Sequence, residues 1–175
     1  SVADPEPNTF IIDRFLVMAE KNRVEVILCI NKIDLNTKRQ MEKLEEIYRP
    51  LYPLVEVCGL TGRGVPVLRD MLRTKKVAFA GPSGVGKSTL INRLNPKAMA
   101  PMGEVSNKTG RGKHTTRHVE IFKTDFDAMI FDTPGFTSFN VLEAEADELQ
   151  LLYPEMQPFR GQCKYDNCRH IAEPA

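Results

Sequence analysis

Gly81-Pro82-Ser83-Gly84-Val85-Gly86-Lys87-Ser88 follows the apolar run Val77-Ala78-Phe79-Ala80 and leads into Thr89-Leu90-Ile91-Asn92-Arg93-Leu94. The order is strand, glycine loop, helix. Glycines at both ends let the backbone wrap closely around a polyphosphate, with the N–H groups from Ser83 to Thr89 and the helix N-terminus aimed at the anion. In that pattern Lys87 reaches the β- and γ-phosphates and Ser88 puts its hydroxyl on Mg²⁺. The same residues also describe a plain glycine turn, so the neighbouring sequence has to decide.

Upstream, Val24-Glu25-Val26-Ile27-Leu28-Cys29-Ile30 is a short, β-branched, nearly continuous apolar run, the pattern of a buried parallel strand. Asn31-Lys32-Ile33-Asp34 follows it directly. In an open parallel sheet, ligands bind outside the carboxyl ends of strands. A carboxylate at Asp34 can accept from both the ring N1–H and the exocyclic amine of guanine, Asn31 can tie neighbouring loops together, and Lys32 can lie along the base. Adenine offers no such donor pair and would leave the carboxylate unpaired. Alone the tetrad is also a polar turn; beside a phosphate loop it reads guanine. A third strand candidate, Leu54-Val55-Glu56-Val57, ends in Cys58-Gly59-Leu60-Thr61-Gly62, a loop that can offer a backbone N–H to the guanine O6. Because that contact is a backbone one, the identity of the Cys58 side chain should matter little.

Helical spacing predicts helices over Phe10–Glu20 with Thr9 as cap, from Asn36 or Thr37 to about Tyr48, and over Val65–Leu72. Downstream of the phosphate loop, the segment from Asn95 to Thr116 is poor in periodicity and contains much of a basic cluster, Lys108, Arg111, Lys113, His114, Arg117 and His118. Either the nucleotide or RNA phosphate would suit it. Val119–Phe122 reads as an edge strand and Ala128–Phe131 as a buried one. The latter ends in Asp132-Thr133-Pro134-Gly135, where the Asp can hold Mg²⁺ through a water and the Gly135 N–H can meet the γ-phosphate. An acidic helix is predicted from Glu143 to Leu152.

The whole-chain properties narrow the class. The 175 residues suit one domain with a small appendage, and a formal net charge of +1 points to no polyanionic or membrane partner by itself. No apolar run approaches the roughly 20 residues that span a bilayer, so a cytoplasmic protein is expected. Of four cysteines, Cys29 and Cys58 lie in apolar runs, while Cys163 and Cys168 stand beside His170. That is no disulfide framework, and the second group reads as part of a metal site.

Phosphate loop, Asp-x-x-Gly and Asn-Lys-x-Asp are the parts of a guanine-nucleotide-binding domain, but the phosphate loop ordinarily comes first. Circular permutation accounts for the order found here. The sequence of motifs, with Gly110-Arg111-Gly112-Lys113-His114-Thr115-Thr116 and Cys163-x4-Cys168-x-His170 added, resembles the bacterial circularly permuted GTPases of ribosome assembly, and closely the ribosome small-subunit-dependent GTPase A family. The resemblance implies an α/β, three-layer P-loop GTPase fold over residues 1–155 and the start of a zinc-binding domain over 156–175. It implies an N-terminal oligonucleotide-binding barrel not included in this sequence, Ser1–Asp4 looking like the tail of the first GTPase-domain strand. GTP or GDP and Mg²⁺ are the expected ligands, with Ser88, Asp132 and one of Thr115 or Thr116 on the metal. Zinc would need a fourth ligand beyond Cys163, Cys168 and His170.

The same resemblance implies a GTP-hydrolysing factor in late maturation of the small (30S) ribosomal subunit, binding the subunit and its rRNA, monomeric, and slow until the subunit stimulates it. Phe136 stands after Gly135, and a phenyl ring cannot orient a water as a glutamine amide does. His114 is therefore the expected water-orienting residue, with Lys87 neutralising charge. Two other readings stay open: an ordinary P-loop ATPase or kinase, and a nucleotide-gated RNA-binding module with negligible hydrolysis.

Overall fold

A computed structural model describes residues 1–35, 38–95, 120–132, 144–162 and 164. Five strands and five α-helices run through them, alternating as far as β4, which β5 follows directly: α1 (Thr9–Lys21), β1 (Leu28–Ile30), α2 (Lys38–Tyr48), β2 (Leu54–Glu56), α3 (Val65–Leu72), β3 (Lys76–Ala78), α4 (Lys87–Leu94), β4 (Glu120–Lys123), β5 (Met129–Asp132) and α5 (Ala146–Leu152). Single 3₁₀ stretches cover Ile33–Leu35 and Pro154–Phe159.

The helices follow the sequence pattern closely; the cap expected for α2, Asn36 or Thr37, lies outside the described residues, and that of α1 differs. Asn8, not Thr9, caps α1: its side chain accepts the Ile11 N–H at 3.2 Å, and Thr9 is already helical. The acidic helix is shorter than its composition suggests, because Glu145 and Glu148 close a capping box that starts α5 at Ala146. Lys21 at the end of α1 reaches Glu148 at 3.0 Å and joins the two helices.

β1 is also shorter than the apolar run that encodes it. Leu28 pairs with Leu54, so the next partner toward the amino end would be Pro53, which has no N–H to give. The Val24 amide meanwhile is spent on the Ala19 carbonyl as the chain leaves α1. The ladder begins only where both strands can bond.

β1 and β2 are parallel; β3 is parallel to β5, which pairs with β4 antiparallel. Side chains leave β1 and β2 on alternate faces. Val55, Cys29 and Ile27 join a core with Leu68 and Leu72 of α3 and Leu90, Ile91 and Leu94 of α4. Leu54, Leu28 and Ile30 join another with Leu16 of α1 and Leu44 and Tyr48 of α2. The result is a helix–sheet–helix layering around β1 and β2. The first core continues under the second sheet through Val77, Phe79, Ala128 and Ile130, so α3 and α4 serve both sheets. α3 presses hard on β2: a Cβ at Gly64, which has φ +74°, would lie 1.9 Å from the Glu56 carbonyl oxygen.

Between β1 and β3 there is no ladder. A cavity of about 1120 Å³ opens there instead, lined by Val26, Leu28 and Ile30, by Val77 and Phe79, and by Ile12 and Leu16 of α1. Ser1 stands at its wall, and the Val2 N–H bonds to the Asn31 carbonyl at 2.9 Å. One backbone bond of the kind a further strand would make thus already exists at the carboxyl end of β1.

Candidate nucleotide site

The loop between β3 and α4 is held open by its backbone. Gly86 takes φ +92°, a conformation L side chains rarely adopt, and ends at the N-terminus of α4. Among the described residues, the amides of Gly84, Val85, Gly86, Ser88 and Thr89 donate to no acceptor in the protein. A run of unsatisfied donors at a helix N-terminus is an anion site by construction. The Lys87 ammonium is folded across the loop and donates to the Gly81 and Pro82 carbonyls, both at 2.7 Å. Those neutral acceptors are ones a phosphate can displace. The Ser83 and Ser88 side chains are exposed, and Thr89 is half-buried.

A second loop pair lies against the first. Parallel pairing of β1 and β2 is prolonged by Val57 N–H to Ile30 carbonyl, 2.8 Å, and Ile33 N–H to Val57 carbonyl, 3.3 Å. These bonds set Asn31–Asp34 beside Cys58–Thr61. Buried Asn31 then joins all three loops: its Nδ2 donates to the Val85 carbonyl at 2.9 Å, and its Oδ1 accepts the Gly59 N–H at 3.0 Å. The fit is tight, since a Cβ on Gly86 would stand 2.4 Å from Asn31 Nδ2. Lys32 adopts φ +65° and donates to the Asp4 carbonyl.

Asp34 is exposed, in the 3₁₀ turn, with one carboxylate oxygen accepting from Cys58 Sγ at 3.0 Å. Cys58 Sγ also accepts the Thr61 N–H at 3.3 Å. The thiol is therefore a bonded part of the site, contrary to the expectation that its identity matters little. Within Cys58–Thr61 every amide but one is used: Cys58 bonds to the Arg63 carbonyl, Gly59 to Asn31 and Thr61 to Cys58 Sγ. The remaining N–H is that of Leu60, whose side chain is 72% exposed.

Sequence reasoning missed Arg93. From the last turn of α4 its Nε donates to the Gly59 carbonyl at 3.2 Å, and its Nη2 to the Leu60 carbonyl. A basic residue in the last helical turn carries no signal for such a contact. Asp132 closes β5, whose Phe131 pairs with Ala78 just before the glycine loop, so its backbone ends beside that loop. His114, Thr115, Thr116, Gly135, Cys163, Cys168 and His170 lie outside the described residues. No cluster of three metal-ligating side chains occurs among the described residues.

A glycine loop rich in unsatisfied amides between strand and helix, placed mid-chain beside a polar loop pair, defines an α/β domain of the P-loop type with rotated chain order. The chain belongs to the RsgA GTPase family, whose model matches residues 1–142. It is 49% identical over 175 residues to a protein of Carboxydothermus hydrogenoformans, and 42% identical over 177 residues to one of Thermotoga maritima; both are named small ribosomal subunit biogenesis GTPase RsgA. The chain spans 59% of the length of each, with 98% and 99% of this chain covered. Among solved structures it resembles YjeQ from Thermotoga maritima (TM-score 0.77, 38% identity, 97% of this chain and 57% of that one). It also resembles YloQ, described as a circularly permuted GTPase (TM-score 0.74, 30% identity, 97% and 54%). No helix among the described residues is long and apolar enough to cross a membrane.

Proposed function

We propose that this chain carries the GTPase domain of a factor for late maturation of the small ribosomal subunit, hydrolysing GTP to GDP and phosphate. The observation that supports it best is the joining of two loops by Asn31: unsatisfied amides and Lys87 on one side, an exposed carboxylate and one free amide on the other. The first set suits a polyphosphate, the second the N1–H, amine and O6 of guanine. Residues 1–155 form the domain in this reading.

Phosphoryl transfer to water needs charge neutralisation and positioning more than covalent chemistry. The glycine-loop amides bind and orient the phosphates; Lys87 exchanges its carbonyl partners for phosphate oxygens. Ser88, Asp132 and Thr115 or Thr116 are the residues that would hold Mg²⁺, which would supply further neutralisation of phosphate charge when bound. The open Ser88 hydroxyl, next to the unpaired amides, fits that use. His114 orients the water when the small subunit and its rRNA are bound, and turnover without the subunit is slow. Residues 156–175 begin a zinc-binding segment through Cys163, Cys168 and His170, the protein acting as a monomer in the cytoplasm.

The test is GTP turnover with and without small subunits, in the intact protein and its His114→Ala variant. His114→Ala should leave GTP affinity nearly intact and abolish the stimulation. Equal stimulation of both proteins would remove His114 from the mechanism, and no turnover under either condition would leave a nucleotide-gated RNA binder.

A further inference from the structure

We infer that Arg93 is a specificity-positioning residue: it fixes the orientation of the Gly59–Leu60 peptide so that the Leu60 N–H is presented to the six-position oxygen of the purine. The inference rests on the guanine reading above and adds to it the residue that sets the amide's direction.

In a trans peptide, C=O and N–H point in opposite directions across a rigid plane. The Gly59 carbonyl and the Leu60 amide belong to one such plane. Arg93 Nε holds that carbonyl at 3.2 Å, and Nη2 holds the next carbonyl, that of Leu60. A planar guanidinium donating to two successive carbonyls leaves the intervening peptide little freedom to rotate. The Leu60 N–H therefore points away from α4, and it is the loop amide with no acceptor among the described residues. From the other side Asn31 Oδ1 fixes the preceding Gly59 N–H at 3.0 Å. One peptide is thus clamped on both flanks while its single free donor faces outward.

An N–H aimed at the six position favours an oxo group and disfavours an amino group, because the latter sets donor against donor. Asp34 reads the other edge of the ring, N1–H and the two-amine, and does not touch Arg93. The two elements should then be separable by ligands that differ only at the six position.

Arg93→Ala and Arg93→Met are compared with the unaltered intact protein; methionine keeps an unbranched stem without donors. Binding of GDP, 6-thio-GDP, ADP and magnesium pyrophosphate is measured by calorimetry. Sulfur accepts hydrogen bonds weakly, while 6-thio-GDP keeps the edge that Asp34 reads. Both variants should lose about tenfold in GDP affinity, lose much less for 6-thio-GDP, and bind pyrophosphate unchanged. Equal losses for GDP and 6-thio-GDP, or a loss for pyrophosphate, would make Arg93 a general brace of the loop and overturn the inference. Unchanged GDP affinity would overturn it too. If the unaltered protein does not prefer GDP over ADP, the guanine reading itself fails, a result distinct from any behaviour of the variants.

Discussion

On the proposed function, the phosphate loop and the base loops of this chain are neighbours built by opposite means. Around Gly81–Ser88 the functional atoms are the amides of Gly84, Val85, Gly86 and Ser88, which have no acceptor among the described residues, and glycine makes their arrangement possible. Around Asn31–Asp34 and Cys58–Thr61 almost every polar group is already used, by Asn31, Cys58 and Arg93, so that one carboxylate and one amide remain for a ligand. The first site is poised by leaving donors unsatisfied, the second by satisfying all but the ones that discriminate. Binding strength and selectivity should therefore respond to different substitutions, and the position where they meet, Gly86 against Asn31, should affect both.

Gly86→Ala is the severest test. It strains a backbone at φ +92° and drives a methyl to within 2.4 Å of Asn31 Nδ2, breaking the bond to Val85 as well. Strain and a lost buried hydrogen bond together predict roughly a hundredfold loss of GDP affinity, with pyrophosphate affinity falling too. Were pyrophosphate binding alone to suffer, the two loops would be independent. Asp34→Ala should behave in the contrary manner. The GDP-over-ADP ratio measured by competition should drop by about 10- to 100-fold, and pyrophosphate binding should not change.

This asymmetry also explains what could be read from the sequence. The phosphate loop was legible because its chemistry is local: glycines at fixed spacing before a helix dictate one backbone shape. Asn31–Asp34 was legible because it follows an apolar strand directly. Arg93 was not, since its partners Gly59 and Leu60 are 34 and 33 residues away and are carbonyls, which every residue possesses. The helices could be read to within a few residues from apolar spacing, whereas β1 was over-extended because the sequence of one strand does not show that Pro53 stands opposite it. The division into two sheets and the slot between β1 and β3 depend on pairing, which spacing along the chain does not encode.

The base-side sheet carries a titratable probe of its own. Burial in β1 pushes the Cys29 thiol up to about 12, whereas an unfolded cysteine titrates at about 8.5. Between those values the unfolded chain sheds a proton that the folded chain keeps. The contribution to stability is complete below about pH 8.5 and declines as pH rises, by about 1.4 kcal/mol per pH unit. Chemical denaturation at pH 7.5 and 9.5 should show that decline in the unaltered protein and a smaller one in Cys29→Ala. Identical slopes would mean that the thiol reaches solvent through the slot and that the base-side sheet is less closed than its core suggests.

The smallest effect should come from Cys58, and it is the one that most directly divides the two ways of building a site. Its thiol does not face a ligand donor; it holds one oxygen of Asp34 at 3.0 Å while accepting the Thr61 N–H. Cys58→Ala removes both bonds at a buried position yet leaves Asp34 exposed to water, so that the carboxylate can rotate but is not stranded. A loss of about three- to tenfold in GDP affinity is expected, with no loss for pyrophosphate. Cys58→Ser, whose hydroxyl is likewise donor and acceptor, should recover most of it. If alanine and serine behave alike, Asp34 needs no second group to aim it, and the base loops owe their selectivity to the Leu60 amide and the Asp34 charge alone. If only alanine fails, selectivity depends on side chains that never touch the base, the property that sets these loops apart from the phosphate loop.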